Sequence, residues 1–295
     1  MTRSVEDGAR DPPGRIAAAF VAACREELDS PKPGNVHVFA DGHRMNPAHF
    51  IRSAEAAAGP LTRPGAKIGQ RILGATEATL AAVGMNTNLG IILLCAPLAA
   101  AAEQQGSDLR AALARLLHAL DREDAVLAFR AIALASPGGL GRVERYDVRA
   151  PATVSLREAM AAAAGRDRIA HQYGSAFEDV FGIGQRALTA ARSRALGHEW
   201  VTLAVFLTFL AAFPDSHIVR KHGPTTAEEV RRAAEDFRSR LECAADPAHL
   251  LADLLSWDEL LKKSRINPGT SADLTVATLF VAYLHNVLPS AGNND

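Results

Sequence analysis

The chain has 295 residues, 48% hydrophobic and only 5% aromatic, with 32 basic residues against 33 acidic ones for a net charge of −1. That length and apolar share suffice for one large core, while near-neutrality excludes the long-range field that gathers nucleic acid or an anionic membrane. Cys24, Cys95 and Cys243 are odd in number, far apart and without metal-ligand spacing, so buried thiols in a reducing, cytoplasmic setting are expected rather than disulfides.

Residues 1–13 are polar and carry Glu6, Asp7 and Asp11 where a signal peptide would need an apolar run, so a disordered tail is expected there. Abundant Ala and Leu and the scarcity of β-branched alternation predict an all-α fold. It is read as a single-domain multi-helix bundle over 14–288, with a second disordered tail at 289–295. A first helix should end near Leu28, ahead of Pro31 and Pro33. The apolar stretches 89–102 and 200–213 fall short of the roughly 20 residues that span a bilayer and read as core helices. Ser107 is placed to cap a helix whose inner face is Leu109, Leu113, Leu116 and Leu120. Asp121 is placed to cap the next, running to about Ala135, and the two are expected to form a hairpin. Ser155 with Glu158 has capping-box spacing ahead of an Ala-rich run that stops at Gly165. A long helix is predicted over 176–195. Thr226 with Glu229 repeats the capping box before Val230, Ala234, Phe237 and Leu241, predicting a helix over 227–244. A last apolar helix covers 274–287.

Five polar islands interrupt these helices, and they hold most of the Asn, Pro and Gly beside charged residues. The first, around Pro31-Lys32-Pro33-Gly34-Asn35, presents Lys32 and Asn35 from a stiff turn suited to a phosphate oxygen, with Glu26 just before it. The second, from Gly84 through Asn86, Thr87, Asn88, Leu89 and Gly90, has more amides than capping requires, at a helix start that favours anions. The third, Ser136-Pro137-Gly138-Gly139-Leu140-Gly141, is Gly-dense and is followed by Arg142, Arg145 and Asp147, but lacks a Walker ending. In the fourth, a short helix capped by Asp215 or Ser216 would cluster Asp215, His217, Arg220 and Lys221, joining a magnesium-type carboxylate to phosphate-binding cations. The fifth, Asn267-Pro268-Gly269-Thr270-Ser271-Ala272-Asp273, opens the last helix, with Ser271 and Asp273 in capping positions and Asp273 a metal or hydroxyl ligand. Each island alone has a plain reading as a turn or a capped helix end. Together they predict a site of helix N-termini, cations and carboxylates fit for a polyphosphate with Mg²⁺.

In their order the islands resemble the triphosphoribosyl-dephospho-CoA synthase family. The resemblance rests on Pro31-Lys32-Pro33-Gly34-Asn35-Val36-His37, Asn86-Thr87-Asn88-Leu89-Gly90, Pro137-Gly138-Gly139-Leu140-Gly141, Asp215-Ser216-His217 with Arg220-Lys221-His222-Gly223, and Asn267-Pro268-Gly269 with Ser271-Ala272-Asp273-Leu274. It spans about residues 26–285. Leu89, where the citrate-lyase branch carries a lysine, and Thr270, in place of a second glycine, look more like the branch of archaea and of methylotrophs with tetrahydromethanopterin-type carriers. The resemblance implies an all-helical enzyme that transfers the triphosphoribosyl unit of ATP to the ribose 2′-hydroxyl of 3′-dephospho-CoA, or to a related cofactor acceptor, releasing adenine. It further implies catalytic roles among Glu26, Asp215, His217 and Asp273, with Asp215 and Asp273 on Mg²⁺. Lys32, Arg220 and Lys221 would hold the triphosphate, and Asn35, Asn86, Asn88, Gly90, Asn267 and Ser271 would complete the binding surface, the Asn86 and Asn88 amides orienting ribose or adenine edges.

Two other functions stay open at this point. One is a Mg²⁺-dependent helical hydrolase of a ribosyl bond, which would need no second substrate. The other is a non-catalytic nucleotide-binding protein of a C1-carrier pathway. Partners are expected to be small molecules, with no nucleic acid and no membrane, and the apolar content leaves a homo-oligomer open.

Overall fold

The computed structural model describes residues 12–39, 46–104, 108–136 and 145–287. Among them are fourteen α-helices and no extended strand, as an Ala/Leu-rich sequence with few β-branched runs demands. In chain order they are α1 (Pro12–Leu28), α2 (Pro47–Leu61), α3 (Ile68–Val83), α4 (Leu89–Ala102), α5 (Leu109–His118), α6 (Arg122–Ala135) and α7 (Leu156–Ala163). There follow α8 (Arg168–Ser175), α9 (Gln185–Ser193), α10 (His198–Ala212), α11 (Ser216–His222), α12 (Pro224–Cys243), α13 (Leu251–Lys263) and α14 (Gly269–Val287).

The heart of the molecule is α14, which packs against α1, α4 and α10. Thirteen of the fourteen residues of α4 are buried, so this helix has no polar face. A helix apolar all round must be enclosed by others, and α2, α3 and α5 complete the sheath. One core is built from α1–α9 with parts of α10 and α14, and a second from α10–α13 with Ala272 at the start of α14. Among the described residues no single helix is long and apolar enough to cross a membrane.

Several local expectations are met where chemistry fixes them. Asp121 caps α6 and Ser155 caps α7, each in a reciprocal capping box. Others are corrected. Thr226 is not a cap, because Gly223 at φ +87° and Pro224 start α12 three residues earlier; proline is pre-organised for a first helical turn. Asp108 caps α5, the Ser107 position lying outside the described residues. Nor do α5 and α6 form the expected hairpin: α5 packs on α4 and α6 on α3, because the buried stripes of both meet larger apolar surfaces there. The predicted helix over 176–195 is interrupted at its start. Ala176 and Phe177 adopt left-handed backbone, and a π-helical turn over Asp179–Gly184 precedes α9. At Gly184 a Cβ would meet Thr278 Oγ1 at 2.2 Å, so the close approach of α14 requires glycine there. The first helix begins at Pro12, and the remaining tail calls, like the Gly-rich 137–141 loop, lie outside the described residues.

Candidate active site

All five islands contribute to one cavity of about 830 Å³, a volume suited to a nucleotide-sized ligand. The second island brings Asn86–Gly90 at the start of α4 to its wall, and the fifth brings Asn267, Gly269, Thr270 and Asp273 at the start of α14. The first supplies Glu27 and Asn35, the fourth His217, Arg220 and Lys221, and the third Ser136 and the segment around Arg145–Val148. The start of α8 adds Arg166 and Asp167, and α6 and α7 add an apolar side that includes Phe129, Ile132 and Met160.

The first island is held against the fifth by its backbone. Gly34 has φ +79°, and a Cβ there would come within 2.9 Å of both Leu261 and Pro268, so only glycine permits the approach. Its N–H donates to buried Asp258 at 2.8 Å, and Asp258 also accepts from Lys262 at 2.8 Å and faces His37 Nε2 at 3.3 Å. Asn35 Nδ2 then donates to Asn267 Oδ1 at 2.9 Å. The turn is thereby fixed at the cavity wall.

Lys32 does not reach the cavity. Its side chain is fully enclosed, donates to the backbone carbonyls of Glu27, Ser30 and Val36, and pairs with Glu27 Oε1 at 3.2 Å. Burial lowers the Lys32 ammonium and raises the Glu27 carboxyl, and their mutual contact opposes both shifts. The carboxylate of α1 that lines the cavity is therefore Glu27, one residue beyond the Glu26 that the sequence suggested. Glu26 lies on another face, accepting from Tyr283 Oη at 2.6 Å and Thr202 Oγ1 at 3.3 Å. A helix turns about 100° per residue, which is enough to exchange the two.

Asp215 is corrected as well. It caps α11 by accepting from the N–H groups of His217 and Ile218, and its second oxygen accepts from both N–H and Oγ of Ser271 at 2.8 Å. Fully enclosed and saturated by four donors, it binds α11 to α14 and leaves no lone pair for a metal or substrate. Ser271, equally enclosed, spends its hydroxyl on Asp215 instead of capping its own helix or facing a ligand.

Asp273 is the opposite case. It lines the cavity, and its Oδ2 lies so near Gly90 that a Cβ there would sit 2.0 Å away. Among the described residues it has no hydrogen-bond partner. Burial, followed by the neighbouring Asp215, Glu27 and Asp167, pushes its carboxyl well above the ordinary carboxylate range, with Arg220 opposing. His217 stands at the start of α14, its N–H donating to Thr270 Oγ1 at 3.2 Å and its Nδ1 against Gly269.

The cations form one rim. Arg220 approaches Asp167 at 3.4 Å, Lys221 beside it in sequence is exposed, and exposed Arg166 also lines the cavity. Burial and then Arg220 lower the Lys221 ammonium. Arg166 and Asp167 line the cavity and were not among the candidates the sequence suggested. The signal was present, since Asp167 stands three residues beyond the Ala161–Ala164 run, past the helix-stopping Gly165, and caps α8 through the N–H groups of Ile169 and Ala170.

Magnesium has no dedicated seat among these residues. Asp215 is spent, and the grouping of described residues with metal-ligand spacing, His171, Glu178 and Asp179, does not line the cavity. Asp179 there is already held by Arg168 through two contacts of 2.7 Å.

Residues 13–291 match the sequence profile of the ATP:dephospho-CoA triphosphoribosyl transferase family. A crystal structure described as that of a candidate triphosphoribosyl-dephospho-CoA synthase from Archaeoglobus fulgidus shares the fold, with a TM-score of 0.60 at 22% identity over 80% of this chain and 96% of that one. No curated protein matches the chain.

Proposed function

The chain belongs to the ATP:dephospho-CoA triphosphoribosyl transferase family, and from that premise we propose how its cavity divides the work of moving the triphosphoribosyl unit of ATP onto the 2′-hydroxyl of dephospho-CoA. The observation that carries the proposal is the meeting of Glu27, Asp273 and a cationic rim in one enclosed cleft.

Arg166, Arg220 and Lys221 take the triphosphate, since three exposed or half-exposed cations at one rim match its charge and leave the ribose pointing inward. In the reaction the bond from C1′ to N9 of adenine breaks and a bond from C1′ to the acceptor oxygen forms. Positive charge develops on the sugar, and an anionic carboxylate beside it lowers the barrier. Glu27, held by Lys32 from behind, fills that role and then accepts the proton of the acceptor hydroxyl. Asp273, whose carboxyl burial and neighbouring acids hold well above the ordinary carboxylate range, gives its proton to the departing adenine. One proton enters and one leaves, so transfer from Glu27 to Asp273 restores both groups. His217 orients the phosphates or the acceptor from the start of α14. Magnesium enters as the ordinary counterion of the ATP phosphates, and no step passes through it. The polar setting and the small-molecule substrates support a protein of the cytoplasm.

The test is adenine release from ATP, Mg²⁺ and dephospho-CoA, with the product identified by mass. Release that depends on the acceptor supports the transferase. Equal release without it, giving free triphosphoribose, would make the protein a hydrolase, and binding of ATP with no release at all would leave a binding protein.

A further inference from the structure

Asn88 stands at the position before α4 where a side chain ordinarily caps the helix, yet it makes no capping bond. That task falls to Asn86, whose Oδ1 accepts from Leu89 N–H at 3.1 Å. Asn88 is 4% exposed and lines the cavity, and both its Nδ2 and its Oδ1 are buried without a partner among the described residues. Buried amides are nearly always paired, so one with neither atom paired marks a place where a ligand completes the bonding.

The geometry of a primary amide narrows the ligand. It presents one donor and one acceptor side by side, and its complement is an edge with acceptor and donor equally adjacent. Phosphates only accept, and a secondary amide such as those of a pantetheine arm has its N–H and C=O on opposite sides. The 6-amino edge of adenine, N6–H beside N7 or N1, matches it, as in the familiar pairing of Asn with adenine. Resting on the transferase reading, we infer that Asn88 holds the 6-aminopurine edge of a substrate. Both substrates carry adenine, and the position favours the base of ATP. Asn88 is two residues from Gly90, over which Asp273 is seated, so the pairing sets a ring nitrogen of the leaving base toward the group that protonates it.

The experiment compares ATP with purine riboside triphosphate, which lacks only the 6-amino group, in the wild type and in Asn88→Leu. The wild type should prefer ATP by about tenfold or more in kcat/KM, the effect of one well-made hydrogen bond, and the preference should fall to near unity in Asn88→Leu. A variant that keeps the wild-type preference overturns the inference. A parallel series with dephospho-CoA and its purine riboside analogue separates the two sources, and lost discrimination on the acceptor alone overturns the assignment to ATP. Calorimetry with AMP and purine riboside monophosphate reads the same pairing without turnover, so failure of the transferase reading would not be mistaken for failure at Asn88. If Asn88→Leu does not fold, Asn88→Ala carries the same comparison.

Discussion

At the residue scale two of the cations that invite a phosphate-binding reading, Lys32 of the Pro-Lys-Pro-Gly turn and Arg220 of α11, separate by what they touch. Lys32 donates to three carbonyls and an enclosed carboxylate, so its loss leaves Glu27 buried and unpaired. Removing one partner of such a pair costs about 3–5 kcal/mol. Lys32→Met should therefore lower the denaturation midpoint strongly. Arg220 is partly exposed at the rim, and Arg220→Ala should shift the midpoint by no more than about 1 kcal/mol while raising the KM for ATP about tenfold, the effect of one charge-assisted contact. Urea melts and steady-state kinetics on both variants check this. A normal midpoint with a raised KM in Lys32→Met would return the lysine to the phosphate site. The sequence showed that a lysine on a rigid turn mattered, but not its direction. That direction depends on whether the proline-bounded turn folds outward or back over α1, which only the clamp from Asp258 decides.

At the element scale the sequence was informative wherever a local signal and a tertiary demand agreed. Asp121 and Ser155 cap as their spacing requires, and α4 matches its apolar run at both ends. The five islands meet in one cavity because several of them are the starts of helices that converge. What stayed hidden was azimuth. Glu26 and Glu27 are equivalent as letters, and Asp215 and Asp273 are both acids beside a helix start, but one is consumed in joining α11 to α14 and the other faces the cleft. Gly90 carries the approach of α4 to α14, since a Cβ would overlap Asp273 Oδ2. Gly90→Ala should displace that carboxyl and reduce the rate of adenine release by roughly 100-fold or more, the scale of losing a positioned proton donor. Gly59→Ala is the control: in α2 nothing lies within 4 Å of its Cβ, and the change should stabilise the protein by about 0.5–1 kcal/mol. Equal, near-native rates in both variants would show that Asp273 has no fixed post at Gly90.

At the scale of the whole molecule the cavity lies where the two cores adjoin, and the groups that serve the reaction weaken that seam. Glu27 and Asp215 are enclosed carboxyls and Asp273 a half-buried one, all with pKa raised chiefly by burial. A carboxyl whose folded pKa exceeds its unfolded value near 3.9 contributes its full stability below about pH 4 and loses it as pH climbs through the folded value, because the native state then binds more protons than the unfolded chain. These three carboxyls should accordingly contribute less stability as pH rises above 4, opposite in sign to salt-bridged acids such as Glu228 and Asp258. Asp273→Asn replaces a group that must ionise with one that cannot, so at pH 4 the variant and the wild type should melt together. Toward pH 8 the variant should gain on the order of 1–3 kcal/mol, or several degrees in Tm for a domain of this size, while its adenine release falls by roughly 100-fold or more. Thermal melts across pH read the first effect and initial rates the second. A stability gap that stays constant from pH 4 to pH 8 would mean that Asp273 titrates no higher in the folded protein than in the unfolded chain, and the acid role assigned to it would fail with it.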